Sequence, residues 1–402
     1  MNISNSTAGG YTVVDLNDVS DTISTISTMT SSNVTNCTSV KSPMFNDIQF
    51  IDKTLTPIIY AVGFPGNILS FLIWIRPRMR HSSGVYLAAL ALVDFIFLVL
   101  HLLYELEKIW GVSTINMPVI CESFTVIFLT FQYLAPLLVL AFTVERYISI
   151  CHPFKREQYC TTRRAEMVSL FLAFISLAIC AIQGYFWTYK DGECGIRKEA
   201  LYGDNKSLWN IYSWATELLI FLVVPLSVLT FNMLVIREAK RLSKYEHTIL
   251  QGRTQKTSAT TIMLLAVSFY LIFTTLPVTV VYVSVLNFNE GPICVIEDEN
   301  STWRKYYIYH LVRAVIEEIG ITHFALNFYI YLITGKMFRK EFKKMFIGLV
   351  DKAVPEKIRT EYTTMARTSF RGSLKKNVTV RLTSNGSTGL STKNQNGSET
   401  NL

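Results

Sequence analysis

Residues 121–147 read CESFTVIFLTFQYLAPLLVLAFTVERY, and this stretch decides the fold. Cys121 and Arg146 lie 25 residues apart, which corresponds to roughly 37 Å of α-helix. The hydrocarbon layer of a bilayer is about 30 Å thick. The stretch therefore predicts a membrane-crossing helix with a cysteine at one boundary and Glu145-Arg146-Tyr147 at the other. An arginine beside an acid at that boundary can be released toward a partner by a small rearrangement.

Comparable apolar runs recur along the chain. Half of the 402 residues are hydrophobic and only 17% are charged, whereas soluble proteins carry about 25% charged residues. The alternating pattern of a membrane β-barrel does not occur. We predict an all-α membrane protein, a seven-transmembrane helix bundle, with spans at about 55–75, 83–104, 118–150, 165–188, 208–236, 258–286 and 306–333.

The net charge of +8 is distributed as a topology signal rather than as a nucleic-acid surface. Basic residues concentrate in alternate connections, at 76–80, 155–164, 237–256 and 336–344, whereas the other connections mix both signs. Positively charged loops stay on the cytoplasmic side. We therefore predict a multi-pass plasma-membrane protein with its N-terminus outside and its C-terminus cytoplasmic. Its surface contacts the lipid bilayer, and no nucleic-acid partner is expected.

The predicted membrane domain covers residues 54–348. The extracellular arm 1–53 and the cytoplasmic tail 349–402 are poor in aromatic residues and rich in Ser, Thr and Asn, so both are predicted to be disordered. The arm shows no cleavable signal peptide. Residues 336–348 place Phe and Met on one helical face and Lys and Arg on the other. This pattern predicts an amphipathic helix on the inner leaflet.

Cysteines and glycosylation acceptors fit this topology. Four cysteines fall on the predicted outside, namely Cys37, Cys121, Cys194 and Cys294. An even number in an oxidising compartment suggests two disulfides. The favoured pair joins Cys121 with Cys194, and a second bridge between Cys37 and Cys294 is preferred over unpaired thiols. The predicted glycosylation acceptors are Asn2, Asn5, Asn33, Asn36, Asn205 and Asn300.

Several polar side chains fall inside the predicted spans, where they are expensive and invite a functional explanation. The set consists of Asn67, Asp94, His323, Asn327 and Tyr331. Such a cluster could bind a cation, relay protons or hold helices together by hydrogen bonds. The residues alone leave these three alternatives open.

Taken in order, these features resemble the rhodopsin-like (class A) G-protein-coupled receptors over the whole membrane domain. The matching positions are Gly66-Asn67, Leu90 to Asp94, Cys121, Glu145-Arg146-Tyr147, Cys151-His152-Pro153, Pro225, Pro277, Asn327 to Tyr331 and Phe338-Arg339. The resemblance implies a receptor whose sixth helix swings around Pro277, so that Arg146 meets a heterotrimeric G protein. Hydroxyl groups beside basic residues in the tail predict phosphorylation and recruitment of arrestin.

The chain departs from the family pattern at positions whose side chains are expected to rearrange when the receptor is activated. The seventh helix ends in Asn327-Phe328-Tyr329-Ile330-Tyr331 without the usual proline. Thr275 stands where the sixth helix usually has tryptophan. Ala135 and His323 alter the surroundings of Asp94. A normal sodium pocket is therefore not expected. The Asn-Phe-x-x-Tyr ending is similar to that of invertebrate neuropeptide receptors of the FMRFamide-receptor-like kind.

The candidate ligand pocket is acidic and aromatic. Phe128 stands where amine receptors carry aspartate, which disfavours a small monoamine. The candidate ligand-binding residues are His101, Tyr104, Glu105, Phe128, Gln132, Glu217, Tyr282, Arg313 and Glu317. They suit a cationic ligand with apolar side chains, such as an Arg-containing amidated peptide. Alternatively, Arg313 and Glu317 pair with each other, and Glu105 lies in water at the membrane rim.

Other functional classes find less support. An ion channel or transporter could use Asp94, His323 and Glu317, but the internal repeats that such proteins often show are not visible. An intramembrane enzyme would need a nucleophile–base or metal pair on facing helices, and none is apparent. We therefore predict that the chain is not an enzyme and holds no metal or cofactor. Residues 306–333 contain no lysine to hold retinal, which excludes a light sensor.

Overall fold

The computed structural model describes residues 6–8, 11–13, 42–190, 192–202, 207–249, 259–288, 290–292, 297 and 299–353. Several predictions concern residues outside these ranges. They are the glycosylation acceptors Asn2, Asn5, Asn33, Asn36 and Asn205, the bridge between Cys37 and Cys294, and the tail beyond residue 353.

Helices form most of the described chain. In chain order the elements are β1 (Ser6–Ala8), β2 (Tyr11–Val13), α1 (Met44–Trp74), α2 (Ser82–Lys108), α3 (Ile120–Cys151), α4 (Pro153–Tyr159), α5 (Thr162–Cys180), α6 (Gln183–Phe186), β3 (Trp187–Lys190), β4 (Glu193–Ile196), α7 (Leu208–Leu218), α8 (Val224–Ile249), α9 (Ala259–Ser284), α10 (Ser301–Ala325), α11 (Asn327–Thr334) and α12 (Lys336–Ala353). A π-helical turn at Leu219–Val223 joins α7 to α8, and a 3-10 turn at Val285–Asn287 follows α9. The two strand pairs, β1 with β2 and β3 with β4, are antiparallel.

Within the described residues, six helical stretches are long and apolar enough to cross a membrane. They are Met44–Trp74, Ser82–Lys108, Ile120–Cys151, Thr162–Phe186, Leu208–Leu242 and Thr261–Ser284. These stretches coincide with the first six predicted spans. The seventh predicted span coincides with α10 and α11, where Arg313, Glu317 and Glu318 interrupt the apolar character.

The seventh span is not one continuous helix. It breaks at Leu326, whose backbone angles (φ −98°, ψ 0°) lie outside the helical range. The break therefore forms although Phe328 stands in the place of the family's proline. At the break, the side-chain amide of Asn67 donates to the carbonyl oxygen of Phe324 at 2.7 Å. A side chain of α1 thus supplies a hydrogen bond where the helix is interrupted.

The bundle is built around α3. This helix packs against α2, α5, α8 and α9, whereas α1 packs against α2 and α10. Its buried side chains include Phe128, Leu129 and Phe142. In contrast, α5 buries only Ala165, Ser176 and Cys180. The exposed face of α5 is apolar, as expected of a helix that faces lipid.

The two ends of α3 define the two ends of the bundle. At the disulfide end, Cys121 is bonded to Cys194 in β4. The β3–β4 hairpin is held there by two further contacts, because Glu122 accepts from the backbone N–H of Tyr189 at 3.0 Å and Asn116 accepts from that of Cys194 at 2.6 Å. The opposite end, called the Arg146 end, carries Glu145-Arg146-Tyr147. The bond between Cys121 and Cys194 confirms the favoured disulfide pairing.

Candidate functional site

A cavity lies among α3, the π-helical turn with the end of α7, α9 and α10. Three of the predicted ligand-binding residues, Gln132, Glu217 and Tyr282, line it. The other lining residues are Phe221, Thr275, Val278, Thr279, Gly320, His323 and Phe324. The cavity is therefore apolar and aromatic over much of its wall, with a few convergent polar groups, as ligand sites usually are.

Glu217 is the acid of this cavity. Its side chain is 5% exposed, and it accepts a hydrogen bond from the hydroxyl of Tyr133 at 3.0 Å. Within the described residues, Glu217 forms no ion pair, and no cationic side chain lies close enough to interact with its carboxyl group. A buried carboxylate without a cation is costly, so it is normally protonated or paired with a ligand.

The π-helical turn places Phe221 in the cavity wall. Pro225 has no backbone N–H, so the carbonyl oxygen four residues earlier, that of Phe221, loses its ordinary helical partner. The hydroxyl of Thr279 in α9 donates to this oxygen at 2.7 Å. One side-chain hydrogen bond thus links α9 to the turn that carries the cavity. Neither the turn nor this bond was predicted.

Other predicted ligand-binding residues form a second, separate cluster between α1, α2 and α10. The hydroxyl of Tyr60 lies 2.6 Å from Nδ1 of His101, and Thr56 donates to Glu318 at 2.5 Å. Lys108 lies 3.9 Å from Asp52 and also interacts electrostatically with Tyr104, Glu105 and Glu317. We call these residues the α1–α2–α10 cluster.

Arg313 and Glu317 do pair with each other within this cluster. The guanidinium Nε donates to the Glu317 carboxylate at 2.7 Å, across one turn of α10. Both charges are therefore partly satisfied inside the protein. Sequence reasoning missed Asp52, Thr56 and Tyr60, although their spacing of four residues places them on one face of α1.

Aromatic rings separate the cavity from the α1–α2–α10 cluster. Phe128 contacts the rings of Phe97, His101 and Tyr104 at centroid distances of 5.3, 6.2 and 5.9 Å. Phe97 in turn stacks on Phe324 of the cavity wall at 3.8 Å. Phe128 is 5% exposed and belongs to this aromatic layer.

Two of the predicted mid-membrane polar residues are in direct contact. Asn327 donates to Asp94 at 2.8 Å, which joins α11 to α2. One oxygen each of Asp94, Asn67 and Tyr331 is buried without a hydrogen-bond partner. Tyr331 packs against Trp74 and Phe338 at 5.5 and 5.3 Å. Hydrogen bonding between helices is thus one role that these side chains fill.

At the Arg146 end, Glu145 is held by two hydroxyl groups of α2. Its Oε1 accepts from the hydroxyls of Ser82 and Ser83 at 2.9 and 3.0 Å, and the Arg146 guanidinium lies 3.8 Å from the same oxygen. Nε of Arg146 is buried without a partner. Tyr147 contacts Phe231 of α8 at 5.4 Å. Arg146 is therefore held weakly, whereas its acid is held firmly.

The cavity, the Asp94 contact and the Arg146 end occur together in one bundle, and residues 66–331 match the family described as 7 transmembrane receptor (rhodopsin family). The chain belongs to this family. Its members are receptors rather than enzymes, so the prediction of a non-enzymatic, multi-pass membrane receptor is confirmed. Phe328, which follows the break at Leu326, and Thr275 in the cavity wall are this receptor's variations on the family pattern.

Individual receptors also match. The FMRFamide receptor of Drosophila melanogaster is 24% identical over 75% of this chain and 55% of its own length. The thyrotropin-releasing hormone receptor of Homo sapiens is 32% identical over 46% of this chain and 47% of its own. Neuromedin-U receptor 2 of Rattus norvegicus is 27% identical over 47% of this chain and 49% of its own. The receptor thus spans about half the length of the curated relatives that it matches.

Two further features lie at the disulfide end of the receptor. Oε2 of Glu297 accepts from the backbone N–H of Ser42 at 3.1 Å and from the Tyr307 hydroxyl at 2.6 Å. Asn300 caps α10, because its Oδ1 accepts from the N–H groups of Thr302 and Trp303 at 2.9 and 3.3 Å. Glycosylation of Asn300 stays a prediction, and its cap leaves the amide nitrogen available.

Proposed function

We propose that this receptor binds an extracellular, positively charged neuropeptide and signals through a heterotrimeric G protein. The observation that carries the proposal is Glu217, a buried acid with no cationic neighbour in the described chain, in the wall of a largely aromatic cavity. A cationic ligand group would supply its missing partner. The relatives described above are named as receptors for FMRFamide, thyrotropin-releasing hormone and neuromedin U, and these names support a neuropeptide ligand.

In this proposal the disulfide end faces outward and the Arg146 end faces the cytoplasm. The basic residues at 76–80, 155–164 and 237–256 support that orientation, since positively charged loops stay cytoplasmic. The glycosylation acceptors and the second bridge, between Cys37 and Cys294, would then lie outside. The Lys- and Arg-rich face of residues 336–348 would rest on the inner leaflet.

The ligand would act by favouring one of two arrangements of the bundle. It can do so only through its different affinity for the two states. Pro277 interrupts the hydrogen-bond ladder of α9, so this helix can bend there. Bending would open a cleft at the Arg146 end, where the weakly held guanidinium of Arg146 meets the G protein.

The α1–α2–α10 cluster would contact a second part of the ligand. Its four acids, Asp52, Glu105, Glu317 and Glu318, outnumber its two cations, Lys108 and Arg313. Carboxyl groups that outnumber the cations beside an aromatic layer would offer hydrogen-bond acceptors to a basic ligand on its way to the cavity. His101 and Tyr104 would line the same region.

Signalling would end through the tail. Phosphorylation of hydroxyls near Thr368 and Ser369 would add negative charge to a basic segment. That change would create a binding site for arrestin.

A cell-based reporter tests the proposal. The full chain is expressed with a promiscuous G-protein reporter and challenged with a library of amidated neuropeptides, and surface expression is measured in parallel. We expect a saturable response that Arg146→Ala abolishes at equal surface expression. Silence across the library at good surface expression would refute the peptide assignment, and ligand-independent ion currents would favour the channel reading instead.

A further inference from the structure

The polar groups of the cavity are unequally divided between donors and acceptors. Oε1 of Gln132 and Nε2 of His323 are both buried and find no hydrogen-bond partner among the described residues. Gln132 is 3% exposed and His323 is 5% exposed. Together with the carboxylate of Glu217, they present three unsatisfied or uncompensated groups from α3, α7 and α10. Buried groups of this kind are expensive unless something else satisfies them.

The histidine acts here as an acceptor. Its Nδ1 lies 2.5 Å from the carbonyl oxygen of Gly320, and a carbonyl oxygen can only accept a hydrogen bond. Nδ1 therefore carries the proton of the neutral ring, and Nε2 is left with a free lone pair. A ligand atom that meets Nε2 must be a donor.

The threonine hydroxyl groups of the cavity wall already donate their hydrogen bonds within the protein, so they add no donors for a ligand. Thr275 donates to the carbonyl oxygen of Leu271 at 2.7 Å, and Thr279 donates to that of Phe221 at 2.7 Å. Tyr133, beside the cavity, donates to Glu217 itself. The amide nitrogen of Gln132 and the hydroxyl of Tyr282 remain as side-chain donors of the wall. Acceptors therefore predominate.

We infer that this cavity selects a guanidinium group, and that it rejects an ammonium or a neutral urea of the same shape. The inference rests on the proposed function and names the ligand group that reaches Glu217, Gln132 and His323. A guanidinium is planar and carries five N–H donors directed to several sides, whereas an ammonium is a compact point charge. Three acceptors on three different helices match the former. Phe221, Tyr282 and Phe324 line the same cavity, and aromatic rings attract a planar cation.

The ligand side of the test uses short amidated peptides made in matched triplets, with arginine, lysine or citrulline at the same position. Citrulline keeps the planar shape and loses the charge. On the full-length receptor in the reporter assay, we expect arginine peptides to be at least about tenfold more potent than their lysine and citrulline partners.

The receptor side of the test uses Glu217→Gln and His323→Phe. We expect Glu217→Gln to weaken arginine peptides by about 30-fold or more and to remove the preference for arginine over citrulline. His323→Phe keeps a ring and removes the acceptor, so it should bring arginine and lysine peptides closer in potency. The control is Glu166→Gln, the same substitution in an exposed ion pair with Arg80, and it should change neither ratio.

The possible failures are distinguishable. Equal potency of lysine or citrulline peptides on the wild-type receptor overturns the inference and leaves the peptide receptor standing. The same holds if peptides without any basic residue activate the receptor regardless of Glu217→Gln. Silence to every triplet at normal surface expression overturns both the inference and the proposed function. If either cavity variant fails to reach the surface, the peptide comparison on the wild type still decides.

Discussion

Replacing Thr279 by valine should destabilise the receptor by removing the hydrogen bond between α9 and the π-helical turn. The hydroxyl donates to the Phe221 carbonyl at 2.7 Å, and Thr279 is 6% exposed, so water does not readily replace it. An unsatisfied buried acceptor costs about 1–3 kcal/mol. Interhelical hydrogen bonds inside membranes contribute about 0.6 kcal/mol on average. We therefore expect a loss of about 1 kcal/mol in the free energy of unfolding.

The measurement is thermal unfolding of the ligand-free receptor purified in detergent. A loss of this size lowers the Tm by about 2–4 °C in a protein of 150–250 residues, and by somewhat less in a larger one. Thr279→Ser keeps the hydroxyl and should stay close to the wild type. Thr275→Val, one turn away, removes a hydroxyl that donates only within α9, and it should cost less. Equal Tm values for Thr279→Val and Thr279→Ser, or an equal loss for Thr275→Val, would refute the reasoning.

Three further predictions concern the disulfide end and the α1–α2–α10 cluster. The proposed bridge between Cys37 and Cys294 predicts that Cys37→Ser, Cys294→Ser and the double variant lower the Tm equally, because each would remove the same bond, whereas additive losses would show that the thiols act separately. Asn300→Asp and Asn300→Ala should both remove the proposed glycan, which a shift in gel mobility would show. Only the alanine variant also removes the cap of α10, so it should lose about 1 kcal/mol of stability. Equal stability of the two variants would contradict the capping role of Asn300. Tyr60→Phe removes the hydroxyl that meets His101 at 2.6 Å and should lower the Tm by an amount similar to Thr279→Val; an unchanged Tm would mean that the contact contributes nothing.

The overall bundle could be predicted because its signals are strong and local. Helix α3 has the predicted length, and its two ends carry Cys121 and Arg146 as expected. The polar residues Asn67, Asp94 and Asn327 were identified because they are rare inside apolar spans. Their hydrogen bonds are expected in such a bundle, because polar groups buried away from water must be satisfied within the protein.

The details of the cavity could not be predicted in the same way. Residues 219–223 read LIFLV, and a uniformly apolar run carries no periodic signal that separates an α-helix from a π-helical turn. The α1–α2–α10 cluster was only half recognised, because Asp52 precedes the predicted first span and looked like part of a solvated arm. Ser82 and Ser83 carry no sequence signal for such a role, and only the packing of α2 on α3 shows that they hold Glu145.

At the Arg146 end, Glu145 and Arg146 are held by different contacts, so one side chain can move without the other. In the proposed activation, Arg146 would leave while the carboxylate of Glu145 kept its two hydroxyl partners on α2. The cost of that rearrangement would then fall mainly on the arginine side chain, which would give up one long contact of 3.8 Å with Glu145. The backbone of α3 can remain a fixed reference while neighbouring helices move against it. Substitutions on α2 that alter these two hydroxyls would then shift the resting equilibrium without touching either the ligand cavity or the arginine itself.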